Sequence, residues 1–293
     1  MLRAASLLAR RRPALLIGAG LAALSSSSSS PPRHSSCDAP PADPHLAPPP
    51  PPPAILDDPE YNAQVLERWR GRIAAARAQW RALDAAAAEA TLRLALDDAA
   101  HFGAQSAPMA TSYLNLAQLY AQAGRHGEAA PLLERAAAVL ETNAGPNNKV
   151  TLLALLDLAA ARHALGDAAR AEEGYEEVLC RLRLAEEQQA HGRASIRDVR
   201  AGCLLRVAAV KVELGKLEQA EAQLREAIDL TQERWGEDSS RLAAPRSELA
   251  KVLLAQQRAS EAAEQCERAL RVSKRPAQRE QLEALRGKIA AVV

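Results

Sequence analysis

The chain has 293 residues, enough for one or two ordinary domains, and a formal net charge of +1. That charge excludes a strongly basic nucleic-acid binder and a strongly acidic buffer protein. Apolar residues make up 48% of the chain but aromatic residues only 3%, and most of the apolar residues are Ala and Leu. This balance favours closely packed helices. We find no alternating Val/Ile/Thr run bounded by turn residues that would predict a strand.

Residues 1–36 have the composition of a targeting leader. They contain five arginines and no acidic residue, and the first carboxylate is Asp38. An Arg-rich stretch filled with Leu, Ala and Ser is typical of a mitochondrial or plastid transit peptide. The apolar run from Ala14 to Leu24 is shorter than the roughly 20 residues of a membrane span. A secretory signal peptide has the same outline and is the alternative interpretation.

Residues 37–57 form a proline-rich linker that ends in six prolines, Pro48 to Pro53. Such a segment buries too little surface to offset its ordering entropy and favours an extended spacer. A PxxP ligand for a partner domain is possible, but a plain tether is the simpler interpretation. We therefore expect the folded domain to span residues 58–293.

A repeated pattern follows, in which residues recur at positions 0, 3, 4, 7, 11, 16, 20 and 23 of each copy. The first clear copy has Tyr113, Leu116, Ala117, Tyr120, Gly124, Ala129, Leu133 and Ala136. The second has Leu155, Leu158, Ala159, Arg162, Gly166, Ala171, Tyr175 and Val178. The third has Leu204, Val207, Ala208, Lys211, Gly215, Ala220, Leu224 and Ala227. The fourth has Arg246, Leu249, Ala250, Leu253, Gln257, Ala262, Cys266 and Ala269. A degenerate leading copy contains Arg72, Ala75, Ala76, Gln79, Ala88, Leu92 and Ala95.

This spacing predicts a helical hairpin in each copy. Small residues let two antiparallel helices approach, large residues fill the gaps, and the glycine at position 11 ends the first helix. Since one hairpin cannot bury its apolar face alone, neighbouring hairpins must stack. Pro276 to Val293 is predicted to be a capping helix, because Leu282, Leu285 and Ile289 recur at helical spacing.

The pattern resembles the tetratricopeptide repeat family, over roughly residues 70–275. That resemblance implies an all-α, right-handed superhelical solenoid of about five hairpins plus the C-terminal capping helix. The spacing between position 11 of successive copies is 42, 49 and 42 residues, longer than the usual 34 and like the repeats of kinesin light chains. The extra seven residues fall within Arg181 to Arg200, as a lengthened helix or a projecting loop.

No residue pattern predicts a catalytic or metal site or a cofactor. The four cysteines, Cys37, Cys180, Cys203 and Cys266, lie far apart and are interpreted as small packing residues. His101, His126, His163 and His191 occur singly and are expected at the surface or at helix ends. Acidic pairs such as Glu172–Glu173 and Glu176–Glu177 are expected to form solvated ion pairs. Trp69 and Trp80 share a predicted packing stripe with Ile73, Ala76, Leu83 and Ala87.

In this family the first helix of each hairpin lines the concave groove, so residues at positions 2 and 5 are candidate partner contacts. The polar ones are Asn115, Gln118, Asp157, Arg206, Glu248 and Lys251. A polar groove of mixed charge suits an extended peptide or a helix. Asp157 would repel a terminal carboxylate, which argues against a receptor for chaperone tails.

With its leader, the chain resembles the mitochondrial tetratricopeptide repeat protein 19 family over about residues 95–290. The similarity includes the tract from Ala171 to Glu187, the Gly236–Asp238 loop and the segment Gln278–Glu283. It implies a non-enzymatic scaffold at the mitochondrial inner membrane or in the intermembrane space, which binds complex III subunits and supports complex III. Membrane association through the N-terminal segment would fit that role. The alternative is a general adaptor of the kinesin-light-chain type in the cytosol or a plastid.

Overall fold

The computed structural model describes residues 58–188 and 193–292, so the expectations for residues 1–57 lie outside the described part of the chain. Within those ranges the chain is helical and contains no strand, which confirms the predicted all-α class. The helices are α1 (Pro59–Arg81), α2 (Ala85–Ala100), α3 (Ala107–Gln122), α4 (His126–Ala144), α5 (Lys149–Ala164), α6 (Ala168–Gln188), α7 (Arg193–Glu213), α8 (Leu217–Trp235), α9 (Ala243–Ala255), α10 (Ala259–Val272) and α11 (Pro276–Ala290). None of these helices is long and apolar enough to cross a membrane.

Successive helices pair into five hairpins, α1–α2 to α9–α10, here called hairpins 1 to 5, and α11 packs on the last of them. The second helix of each hairpin also packs on the first helix of the next, so that the apolar core continues from hairpin to hairpin. The buried side chains of Leu282, Leu285 and Ile289 attach α11 to hairpin 5. The predicted arrangement of five hairpins and a capping helix is therefore confirmed.

The first helices end where the repeat predicts, at position 11. Gly124, Gly166 and Gly215 have φ values of 77°, 85° and 73°, a conformation that costs glycine little. Gln257 occupies the same place in hairpin 5 with φ 63°. Leu83 does so in hairpin 1 with φ 65°, although no glycine marked that turn.

The predicted small-residue seam lies where two helices meet. Ala117, Ala159, Ala208 and Ala250 are each at most 1% exposed. The α5–α6 approach is so close that a Cβ added at Gly174 would lie 3.2 Å from the Cβ of Ala159. Enlarging these residues would therefore overpack the seam.

The predicted tryptophan stripe is only partly correct. Ile73 and Ala76 are buried in α1, and the indole Nε1 of Trp69 donates a hydrogen bond of 2.9 Å to Ser112 Oγ. Leu83, however, is 86% exposed, because α1 ends at Arg81 and the next residues form the turn. The helical spacing that predicted the stripe does not apply beyond that point.

The extra seven residues between the second and third copies of the repeat lengthen both helices that flank residues 189–192. Helices α6 and α7 each have 21 residues. Arg197 and Arg200 of α7 both bind Glu186 near the end of α6, and Arg200 also pairs with Glu226 of α8 at 3.2 Å. These ion pairs attach the lengthened ends to the following hairpin.

Two of the cysteines are packing residues as predicted. Cys203 and Cys266 are fully buried, and burial raises the pKa of the Cys203 thiol to about 12. Cys180, by contrast, is exposed on α6, while Cys37 lies outside the described residues. No group of three His, Cys, Asp or Glu side chains in the described ranges is arranged to hold a metal ion.

Candidate functional site: the face lined by the first helices

The first helices of the hairpins lie side by side along one face of the array. Helix α1 contacts α3, α5 contacts α7, and α7 contacts α9, while Gln118 of α3 lies beside Asp157 of α5, so residues at positions 2 and 5 of successive hairpins are neighbours. We call this surface the inner face. Its candidate residues therefore occupy neighbouring turns of parallel helices.

Three of the six candidate residues come together at the centre of the inner face. Arg206 Nη1 of α7 lies 3.7 Å from Asp157 Oδ1 of α5. Gln118 of α3 is a hydrogen-bonding neighbour of the same carboxylate. The result is a row of polar groups, Gln118–Asp157–Arg206, that crosses three hairpins; we call it the central row.

Burial and the neighbouring charge shift the pKa of Asp157 in opposite directions. Burial raises the pKa of its carboxyl group, and Arg206 and Gln118 only partly reverse that shift. Behind the row, burial raises the pKa of the Tyr175 hydroxyl to about 12, and the nearby charge of Arg206 acts in the opposite direction. Arg206 thus pairs with Asp157 at 3.7 Å, while 45% of its side chain remains open to solvent.

The floor beside the central row is small and apolar. Ala160 and Ala209 occupy position 5 of hairpins 3 and 4, and Val212 is 39% exposed one turn further along α7. Small side chains let a bound backbone approach the helices, while the guanidinium supplies charge-assisted hydrogen bonds. The geometry can therefore hold an extended segment that offers carbonyl or carboxylate oxygens.

The other three candidate residues lie apart from the central row. Asn115 is only 9% exposed; its Nδ2 donates to the Thr111 carbonyl at 2.7 Å, and its Oδ1 accepts from Arg77 at 3.4 Å. Glu248 and Lys251 pair with each other on α9 at 2.8 Å, and about half of each side chain is exposed. Asn115 therefore helps to join α1 to α3, and the α9 pair forms a separate charged site.

Two features of the inner face were missed from the sequence. Arg77 occupies position 5 of the leading copy, so the repeat numbering could have identified it. His163 Nε2 lies 2.9 Å from Glu213 Oε2, which joins α5 to α7 beside the central row. His163 and Glu213 stand at positions 8 and 9, outside the positions 2 and 5 from which the groove was predicted.

A comparison with protein families matches the tetratricopeptide repeat over residues 108–183 and 200–275, more than half of the chain. The chain belongs to the tetratricopeptide repeat family, a class of repeat scaffolds that bind other proteins. A search of curated proteins gave no significant match. The resemblance to the protein 19 family thus stays a prediction.

Solved structures share the fold at low sequence identity. A Podosopora anserina kinesin-light-chain-type protein with nearly identical TPR-like repeats superposes with a TM-score of 0.57 and 20% identity, over 76% of this chain and 97% of that one. BtubC (BKLC) from P. vanneervenii gives a TM-score of 0.58 and 20% identity, over 75% and 91%. NprR, solved in complex with its cognate peptide NprX, gives 0.50 and 12%, over 79% and 62%. The kinesin-light-chain-like repeat architecture is thereby confirmed.

Proposed function

We propose that this chain is a non-enzymatic scaffold of mitochondria that binds complex III subunits and supports complex III at the inner membrane. The central row is the observation that carries the binding role: Arg206, whose side chain is 45% exposed, pairs with Asp157 beside a floor of small residues. NprR, which shares the fold, holds a peptide. The mitochondrial part of the proposal rests on the Arg-rich leader without acids and on the resemblance over residues 95–290.

The location is tested with two tagged proteins, the full chain and a chain that lacks residues 1–36. We expect the full chain to co-fractionate with mitochondria, at the inner membrane or in the intermembrane space, and the shortened chain to remain in the cytosol. Equal distribution of the two proteins would contradict the proposal. That outcome would favour the general adaptor. The mixed charge of the inner face would also suit an adaptor that binds several partners.

The role in complex III is tested by deletion of the gene followed by in-gel activity of each respiratory complex. We expect complex III activity to fall while the other complexes stay close to normal. Normal complex III activity in the deletion strain would overturn this part of the proposal.

The binding face is tested by a triple variant, Gln118→Ala with Asp157→Ala and Arg206→Ala. Loss of a charge-assisted hydrogen bond weakens binding by about 1.5–3 kcal/mol, so we expect recovery of complex III subunits in co-precipitation to fall roughly tenfold or more. The matched control replaces three exposed acids of the second helices, Glu173, Glu218 and Asp229, with Ala. If a folded triple variant binds as well as that control, the contact lies on another surface.

A further inference from the structure

An arginine in the last hairpin is largely buried and has no partner among the described residues. Arg246, at position 0 of hairpin 5, is 6% exposed, and no described residue forms a hydrogen bond or an ion pair with it. None of its side-chain nitrogens is both fully buried and unpaired, so the guanidinium reaches the small part of the residue that is exposed. A guanidinium that is largely desolvated and has no protein partner favours the binding of a negative group.

Hairpin 1 shows how the same position is satisfied elsewhere in this chain. Arg72, also at position 0, pairs with Asp98 at 2.8 Å and donates a hydrogen bond of 2.6 Å to the Leu94 carbonyl. Asp98 stands at position 26, near the end of the second helix, and only 5% of its side chain is exposed. In hairpin 1 a buried carboxylate thus neutralises the arginine.

Hairpin 5 lacks a carboxylate at position 26 and instead has hydrogen-bond donors, Arg268 and Ser273, near that position. Position 26 is Val272, and position 22, which is Leu94 in hairpin 1, is Arg268. Ser273 follows Val272, is 7% exposed, and its Oγ has no hydrogen-bond partner among the described residues. A buried hydroxyl without a partner and an unpaired arginine therefore lie at the same end of hairpin 5.

The charged residues around Arg246 also show that it is poorly neutralised compared with Arg72. Burial lowers the pKa of Arg246, and Arg268 lowers it further, whereas Glu237 and Asp238 act in the opposite direction. The Glu237 carboxylate accepts a hydrogen bond from Gln232 at 2.8 Å. Asp238 is the remaining acid that could compete for the guanidinium.

We propose that Arg246 is the centre of an oxyanion site, which binds a phosphate or carboxylate group in the place that Asp98 fills in hairpin 1. The site lies between the α8–α9 connection and the end of α10, on different helices from the central row. One arginine holds the ligand, because a single guanidinium can donate hydrogen bonds to two oxygens of the same phosphate or carboxylate group. This proposal does not depend on the proposed mitochondrial function.

The test is thermal unfolding of the full chain in phosphate and in chloride at matched ionic strength. Phosphate at about ten times its dissociation constant should stabilise the fold by about 1.4 kcal/mol and raise the melting temperature by roughly 3–6 °C. A parallel series in acetate distinguishes the two sources: a rise with acetate as well identifies a carboxylate site, and a rise with phosphate alone identifies a phosphate site. Equal melting temperatures in all three salts would overturn the proposal.

Three variants locate the effect. Arg246→Leu copies Leu204, the fully buried residue at position 0 of hairpin 4, and Val272→Asp copies the Asp98 of hairpin 1. Both should abolish the shift and raise the melting temperature in chloride. Arg271→Leu, which changes an exposed arginine next to Val272, should keep the shift. A shift that persists in Arg246→Leu or in Val272→Asp would place the anion elsewhere and overturn the proposal.

Discussion

At the scale of single residues, the turns of the two terminal hairpins contain side chains in a conformation that suits glycine. Leu83 and Gln257 have φ values of 65° and 63°, like the turn glycines of the three central hairpins. A non-glycine residue in this region is strained by about 1–2 kcal/mol. A glycine avoids that strain but loses more conformational entropy on folding, so its net advantage is smaller. The end turns are therefore less favourable than the central ones.

We expect Leu83→Gly and Gln257→Gly each to raise the free energy of unfolding by roughly 0.5–1 kcal/mol. The measurement is urea unfolding followed by circular dichroism. The control is Gly215→Ala, where the new Cβ would meet no atom within 4 Å, so that any loss reflects the backbone alone. A loss of stability in both glycine variants, or no loss in Gly215→Ala, would contradict this account.

At the scale of helices and turns, position 12 uses two chemistries. Asp84 and Asp167 cap the helix that follows, by accepting hydrogen bonds from the backbone amides of Ala87 and Arg170. The other three hairpins have a cation at this position, without a side-chain cap in the hairpins of α4, α8 and α10. Whether position 12 holds a capping Asp or a cation therefore differs from hairpin to hairpin.

Each of those cations binds a glutamate at position 17 of the preceding hairpin. The pairs are Arg125–Glu89 at 2.6 Å, Lys216–Glu172 at 2.7 Å and Arg258–Glu221 at 2.7 Å. No hairpin precedes hairpin 1 among the described residues, and Ala130 stands at position 17 before Asp167. A cation thus replaces the capping Asp only where a glutamate is available.

This dependence predicts that the effect of Lys216→Asp changes with its background. In the wild type the substitution gains a cap worth about 1 kcal/mol but turns an ion pair into a repulsion. In Glu172→Ala only the gain remains, so we expect Lys216→Asp to be at least about 0.5 kcal/mol more favourable there. A double-mutant cycle measured by urea unfolding checks this, and equal effects in both backgrounds would disprove the coupling.

The repeat numbering accounts for most of what the sequence could predict. Gly124, Gly166 and Gly215 located three turns, and the alanines at position 4 located the seam, because these roles depend on local backbone and size. The burial of Asn115 could not be predicted, since it depends on Arg77 reaching across from α1. The position of Leu83 was missed because its backbone is determined by the packing of hairpin 1 rather than by its own preference.

At the scale of the whole molecule, the near-zero net charge conceals a separation of charge between the two layers of helices. By sequence, the first helices of the five hairpins contain 14 Lys and Arg against 6 Asp and Glu, and the second helices contain 9 against 20. Ion pairs join the layers, for example Arg162–Glu134 at 2.9 Å and Lys211–Glu176 at 2.6 Å. The two layers thus attract each other electrostatically, except at α3, which contains no charged residue.

Because salt screens such exposed pairs, we expect the free energy of unfolding in urea to fall by on the order of 1–3 kcal/mol between about 0.02 M and 0.5 M sodium chloride. The control is a variant with Glu134→Gln, Glu172→Gln and Glu176→Gln, in which the salt dependence should be smaller. Stability that is unchanged or higher in salt would show that the layers are held by apolar contacts alone.

The unpaired Arg246 and the strained turns at Leu83 and Gln257 all belong to the terminal hairpins. In a repeat array each unit interacts only with its neighbours, so local openings begin where the units are weakest. Backbone amides of hairpins 1 and 5 should therefore exchange with solvent through fraying, while those of hairpins 2 to 4 exchange only when the central block opens as one unit. Hairpins 2 to 4 would then form a stable central block, and hairpins 1 and 5 would unfold and refold locally at its two ends. An anion bound at Arg246 would slow local unfolding of the C-terminal end alone.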